Sequence, residues 1–194
     1  MRIWTRMQTW SWKWTEGRRA GVLARTVLPT ALLLASCTTL QRASEPVPPS
    51  RPAADEGMLV YTVGTLAFEV PSGWQARGDE RHVEAQPPDA TAKVDVRLLE
   101  QRFKSAAECA SQAEVALTRG SAGLANVRRH PTTVAGRRAL VQEADAGPWH
   151  GWAYAVCDGH VQYRMFVTGL SPVRPETLDA FRVLVSSAQL GGTP

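Results

Sequence analysis

A chain of 194 residues, 44% hydrophobic and 21% charged, can build one core of ordinary size and is too mixed to be collagenous, low-complexity or wholly membrane-embedded. A net charge of +4 and a pI near 9.3 suggest a polyanionic partner. However, residues 1–36 hold six of the Lys/Arg and one acid, and the rest carries 16 basic and 17 acidic residues, about −1. That balance excludes a phosphate-neutralising surface and, with it, nucleic-acid binding. Arg128-Arg129 and Arg137-Arg138 are pairs, and read as solvated strand or turn positions.

Residues 1–17 crowd Trp4, Trp10, Trp12 and Trp14 into a segment without helical or strand period, and read as a start codon assigned too early. Arg18, Arg19 and Arg25 then precede an apolar run from Thr26 to Ser36. The run has signal-peptide length and is too short to span a bilayer core of about 30 Å. It ends in Leu34-Ala35-Ser36-Cys37, which resembles the bacterial lipobox. The resemblance implies a diacylglyceryl group on the Cys37 thiol, cleavage before it, and acylation of the new amine. Two or more acyl chains anchor stably where one does not. Thr38 stands where an aspartate would resemble the inner-membrane retention signal, so the expected address is the outer membrane, in a periplasm-facing or surface protein. Residues 1–36 are thus expected to be a signal peptide, and the membrane a partner through the N-terminal lipid.

Three cysteines are present: Cys37, Cys109 and Cys157. With Cys37 lipidated, the other two form an even pair in an oxidising compartment, and a disulfide between them is the first expectation. Two unrelated buried thiols are the alternative. No histidine has a context that marks it as partner to a catalytic cysteine.

Residues 37–57 interleave Pro46, Pro48, Pro49 and Pro52 with small and charged residues, the composition of a stiff polar linker. Fully extended, it reaches about 70 Å, and is expected to hold the domain off the lipid without fixing its orientation. Residues 58–190 read as one domain. Strands are expected over 58–61, 66–70, 82–86 and 93–99, the second ended by Pro71 and Gly73-Trp74. Ser105 and Glu108 form a capping-box pattern opening a helix to about Arg119, with Cys109, Ala113, Ala116 and Leu117 as its stripe. Strands follow over 126–133 and 138–144. The clearest element is a hairpin of 149–157 with 160–168 about Asp158-Gly159, which favours a type I′ turn and sets Val156 against Val161. Ala153, Ala155 and Cys157 then share a small-residue face able to receive the alanine-striped helix, bringing Cys109 towards Cys157. A second helix opens near Pro175-Glu176, with Leu178, Phe181 and Val185 turned to the aromatic face. Residues 191–194 read as a disordered tail.

The order of elements predicts an α+β fold: a mainly antiparallel sheet flanked by a helix on each face, a three-layer α/β/α sandwich. Phe68 to Pro71 followed by Gly73-Trp74, the Val134 to Gly136 turn, the Asp158-Gly159 hairpin and a closing helix ending in Ser186-Ser187 together resemble the PsbP/Mog-like fold. That superfamily includes a lumenal photosystem subunit, a Ran-binding protein and periplasmic lipoproteins, DcrB-like proteins among them. It implies an accessory or binding protein, and none of its members supplies a catalytic motif that carries over.

The expected function is therefore a membrane-anchored, non-catalytic accessory module for an unknown envelope protein or assembly. One alternative is a periplasmic small-molecule or metal carrier or sensor, prompted by His82, His130, His150 and His160, although none has zinc-ligand spacing and no metal site or cofactor is assigned. Another is a cell-wall-acting enzyme using two carboxylates. Its candidates, Glu143 with Asp145 and the strand residues Glu69, Glu84 and Asp95, alternate as solvent-facing acids do, so no catalytic residue is assigned. Trp149, beside the Gly147-Pro148 turn, is the one candidate contact residue.

Overall fold

Alternation of small or branched residues with polar ones drives most of this chain into strands. The computed structural model describes residues 46–52 and 57–191, all within the second of two separate units, Met1–Ala43 and Ser44–Pro194. The leader, Cys37 and residues 192–194 lie outside the described residues. The strands are β1 (Arg51–Pro52), β2 (Met58–Val63), β3 (Leu66–Pro71), β4 (Gln75–Asp79), β5 (His82–Gln86), β6 (Ala92–Leu98), β7 (Ala125–Val134), β8 (Arg137–Ala146), β9 (Trp149–Asp158), β10 (Val161–Leu170) and β11 (Gln189–Leu190). The helices are α1 (Ala106–Gly120), before β7, and α2 (Pro175–Ser187), before β11. Every strand pairing is antiparallel, and the fold is α+β.

In place of one sheet between two helices, two sheets form. β4-β5-β6-β10-β9-β8-β7 make a seven-stranded sheet, and β1-β2-β3-β11 a four-stranded one. The main core lies between them: Val63, Leu66, Phe68 and Val70 of the small sheet meet Val83, Val94, Val96, Tyr163 and Met165 of the large one. The alternation at Leu66, Phe68 and Val70 shows that β3 buries one face, but not against which sheet. β1, β4 and β11 were not expected. β4 has no apolar alternation, and β1 and β11 are two residues each, held by their neighbours.

Helix α1 sits on the other face of the large sheet, with Ala113 and Leu117 against Ala153 and Ala155. Ser105 caps it, its hydroxyl accepting from the Glu108 N–H at 3.2 Å. Side chains this small let helix and sheet approach closely. Cys109 and Cys157 are joined in a disulfide with Cα atoms 6.0 Å apart. Ala116, expected in the stripe, is only half-buried. Helix α2 starts at Pro175 as expected, but buries Thr177, Phe181 and Leu184 rather than Leu178 and Val185, which are half-buried. It packs on β3, so its stripe is set by the small sheet. Phe181 still reaches the aromatic face, edge-on to Trp152 at 6.0 Å and to Trp74 at 6.3 Å.

The hairpin register differs from expectation by two residues. Asp158 pairs with Val161 and Val156 with Tyr163, so the loop is Gly159-His160. Gly159 has φ +57° and His160 has no positive φ, which excludes type I′. Tertiary contacts select this turn. The His160 carbonyl accepts from the Phe103 N–H at 2.9 Å, and His160 Nδ1 lies 2.7 Å from the Phe103 carbonyl. A slip of two keeps every side chain on its face, so the expected division of faces stands.

The linker, expected to run free to Gly57, is bound from Pro46. Pro46 bridges Arg77 on β4. The Val47 N–H donates to the Ala76 carbonyl at 3.3 Å, and the Ser50 N–H to the Val60 carbonyl at 2.7 Å. The Val47 side chain packs against the core. The segment therefore crosses from the edge of one sheet to the edge of the other.

Candidate functional site

Helix α1 covers β8, β9 and β10, and the same face of β4, β5 and β6 carries charge. On β5, residues at i and i+2 share a face, so His82 and Glu84 lie side by side. Register then sets Glu84 against Asp95 and His82 against Arg97 on β6, and Arg97 against Arg164 on β10. His82 Nε2 lies 3.3 Å from Asp95 Oδ1, buried but without a well-aligned hydrogen bond. Arg97 grips Asp95 with both arms, Nε to Oδ1 and Nη2 to Oδ2 at 2.6 Å each. Lys93 Nζ lies 2.6 Å from Glu84 Oε2.

Asp95 is 7% exposed. Burial alone would raise its pKa, but the contacts from His82 and Arg97 outweigh burial and hold it at about 2. The bond to Asp95 raises the Arg97 pKa in turn. Arg164, buried beside this group, is lowered to about 10 by desolvation. Its Nε donates to Gln162 Oε1 at 2.9 Å.

One ligand atom from each of His82, Glu84 and Asp95 lies within 4.8 Å of the others. One imidazole and two carboxylates suit a borderline divalent ion such as Zn²⁺, with a coordination position left open. The donor set fits in kind. In charge, the two carboxylates are already matched by Arg97 and Lys93, which an incoming ion would have to displace. Zinc-ligand spacing, which none of the four histidines has, does not reveal this grouping. The i, i+2 pair on β5 was visible in the sequence, whereas the pairing of β5 with β6 that brings in Asp95 was not.

A second polar group occupies the other face at the β8–β9 end. His150 Nδ1 lies 2.5 Å from Asp145 Oδ1 and Nε2 3.1 Å from Glu143 Oε1. The ring stands edge-on to Trp152 at 4.5 Å. Asn126 donates to Asp145 Oδ2 at 2.6 Å, and with His150 lowers the pKa of that carboxyl. Glu143 and Asp145 thus converge on an imidazole rather than facing each other across a cleft. Glu69 lies on β3 of the small sheet, not on the strands of either group, its backbone N–H bonded to Ser187 Oγ at 3.0 Å. Trp149 is half-buried, paired with Leu170, an exposed large apolar residue.

No protein-family model matches the chain, and no curated protein matches it. Among solved structures, that of the cyanobacterial PsbP protein CyanoP from Synechocystis sp. PCC 6803 is similar at TM-score 0.51 and 13% identity, over 81% of this chain and 99% of that one. LpqN, involved in cell envelope biogenesis of Mycobacterium tuberculosis, is similar at TM-score 0.45 and 12% identity, over 70% of this chain and 91% of that one. At such identities the likeness concerns fold alone, and the mainly antiparallel sheets with two helices among the described residues are a PsbP-like α+β fold.

Proposed function

We propose that this protein is a lipid-anchored accessory module of the cell envelope, held to the outer membrane through Cys37 and acting by binding an envelope protein rather than by catalysis. The observation that carries this reading is the Cys109–Cys157 disulfide. It suits an oxidising compartment and leaves Cys37, in its lipobox-like setting, as the one cysteine without a partner thiol. Among the described residues no helix is long and apolar enough to cross a membrane. The test is palmitate labelling in cells with envelope crosslinking. The wild type is expected to take up label and recover a repeatable partner. Cys37→Ser should lose the label, and Trp149→Ala should weaken recovery. An unlabelled wild type, or a crosslinked fraction without a repeatable protein, counts against it.

A second reading, a metal carrier or sensor, is favoured by the convergence of His82, Glu84 and Asp95. Native mass spectrometry with added Zn²⁺ tests it: one bound ion, lost in His82→Ala, supports it, and apo protein alone dismisses it.

A further inference from the structure

We infer that the edge of the domain where Pro46 meets β4 is held towards the lipid surface, and that the β7 edge faces away from it. The inference rests on the lipid-anchor reading, and takes from it only the attachment at Cys37. What is new comes from where the chain becomes fixed to the fold. Pro46, Val47 and Ser50 are bound to β4 and β2 by a bridge, two backbone hydrogen bonds and the buried flank of Val47. Arg51 and Pro52 then pair with Val60 and Leu59. Only nine residue steps separate Cys37 from Pro46. Fully stretched, they span about 30 Å.

That length is short beside the domain. A compact unit of this size has a diameter of about 38 Å, so a path over its surface from one side to the other is roughly 60 Å. A leash of about 30 Å cannot follow that path. The exit point therefore cannot lie on the side turned away from the membrane, and the side that bears it is the one held towards the lipid. The β7 edge lies six strand spacings from β4 across the large sheet, roughly 29 Å away. β7 is an edge strand whose Arg128, Arg129, His130 and Pro131 are exposed, features that discourage strand addition and leave side-chain recognition as its mode of contact.

The test uses the full lipidated protein in phosphatidylethanolamine/phosphatidylglycerol vesicles containing a nitroxide-headgroup lipid. With Cys37 acylated and Cys109 bonded to Cys157, one added cysteine is the only free thiol. Gln75→Cys on β4 and Thr133→Cys on β7, both exposed positions, take the same maleimide dye. Quenching is expected to be several-fold stronger at position 75 than at 133. Inserting twenty Gly/Ser residues between Ser44 and Glu45 lengthens the leash to about 100 Å and should remove the difference. Equal quenching at both sites with the native leash, in protein that carries palmitate, overturns the orientation alone. A protein that takes up no palmitate removes the anchor and the orientation together, and the label itself tells the two results apart.

Discussion

Asp95 is a buried carboxylate, 7% exposed, whose charge is met by Arg97 and His82. Its carboxyl is held at about 2, against about 3.9 in an unfolded chain. A lowered folded pKa contributes stability above the unfolded value, and that stability is lost as pH falls from about 4 towards 2. The contribution is on the order of 2 kcal/mol. Asp95→Asn is expected to flatten the stability curve between those pH values, measured by urea unfolding at each pH. At neutral pH it should lower stability by about 2 kcal/mol, because Arg97 loses its ionic partner. An unchanged acid limb would show that Asp95 is not the group that titrates. Tyr163 acts at the same scale. Its hydroxyl, with the residue 1% exposed, accepts from the Thr65 N–H at 3.2 Å and meets Thr65 Oγ1 at 2.9 Å. Tyr163→Phe strands that N–H, and should cost about 1–3 kcal/mol as a lowered urea midpoint with unchanged slope. Gly64 beside it has φ +56°, and a Cβ there would come within 2.9 Å of Leu98 and 3.1 Å of the Tyr163 hydroxyl, so the turn needs glycine.

Helix α1 and the β9–β10 hairpin depend on each other at the scale of elements. The helix is striped with small residues because the face it meets is Ala153 and Ala155. Enlarging that face should push them apart: Ala155→Leu is expected to destabilise by about 1–3 kcal/mol, while Glu114→Ala, on the exposed side of α1, should stay within about 0.5 kcal/mol. Thermal melts of the pair check this. The disulfide holds the same contact covalently across 48 residues. Replacing both Cys109 and Cys157 by Ala should cost about 2–4 kcal/mol, read from denaturant midpoints. A loss well below that range would mean that the alanine contact alone seats the helix. Much of this contact was legible beforehand. Ala113, Leu117, Ala153 and Ala155 follow helix and strand periods strictly, and the cysteines fall in step with them. The turn was legible as to its glycine but not its register, because Phe103, far away in sequence, captures His160. The α2 stripe differs from its expectation for a like reason: Leu178 and Thr177 are neighbours on the helix, and only the position of β3 chooses between them.

At the scale of the whole molecule, the sequence by itself determined both helices, the longer strands except β4, the faces of most of them, and that Cys109 and Cys157 were candidates for one disulfide. Each of these depends on local periodicity, composition or a count, which the chain carries residue by residue. Tertiary structure alone decided that β2 and β3 leave the large sheet for a second one, that His82, Glu84 and Asp95 meet, and that the proline-rich segment from Pro46 is bound rather than free. Those outcomes depend on which strand lies beside which. Alternation marks a face for burial without naming its partner, and a proline-rich segment looks alike in sequence whether it hangs in solvent or lies across two sheet edges.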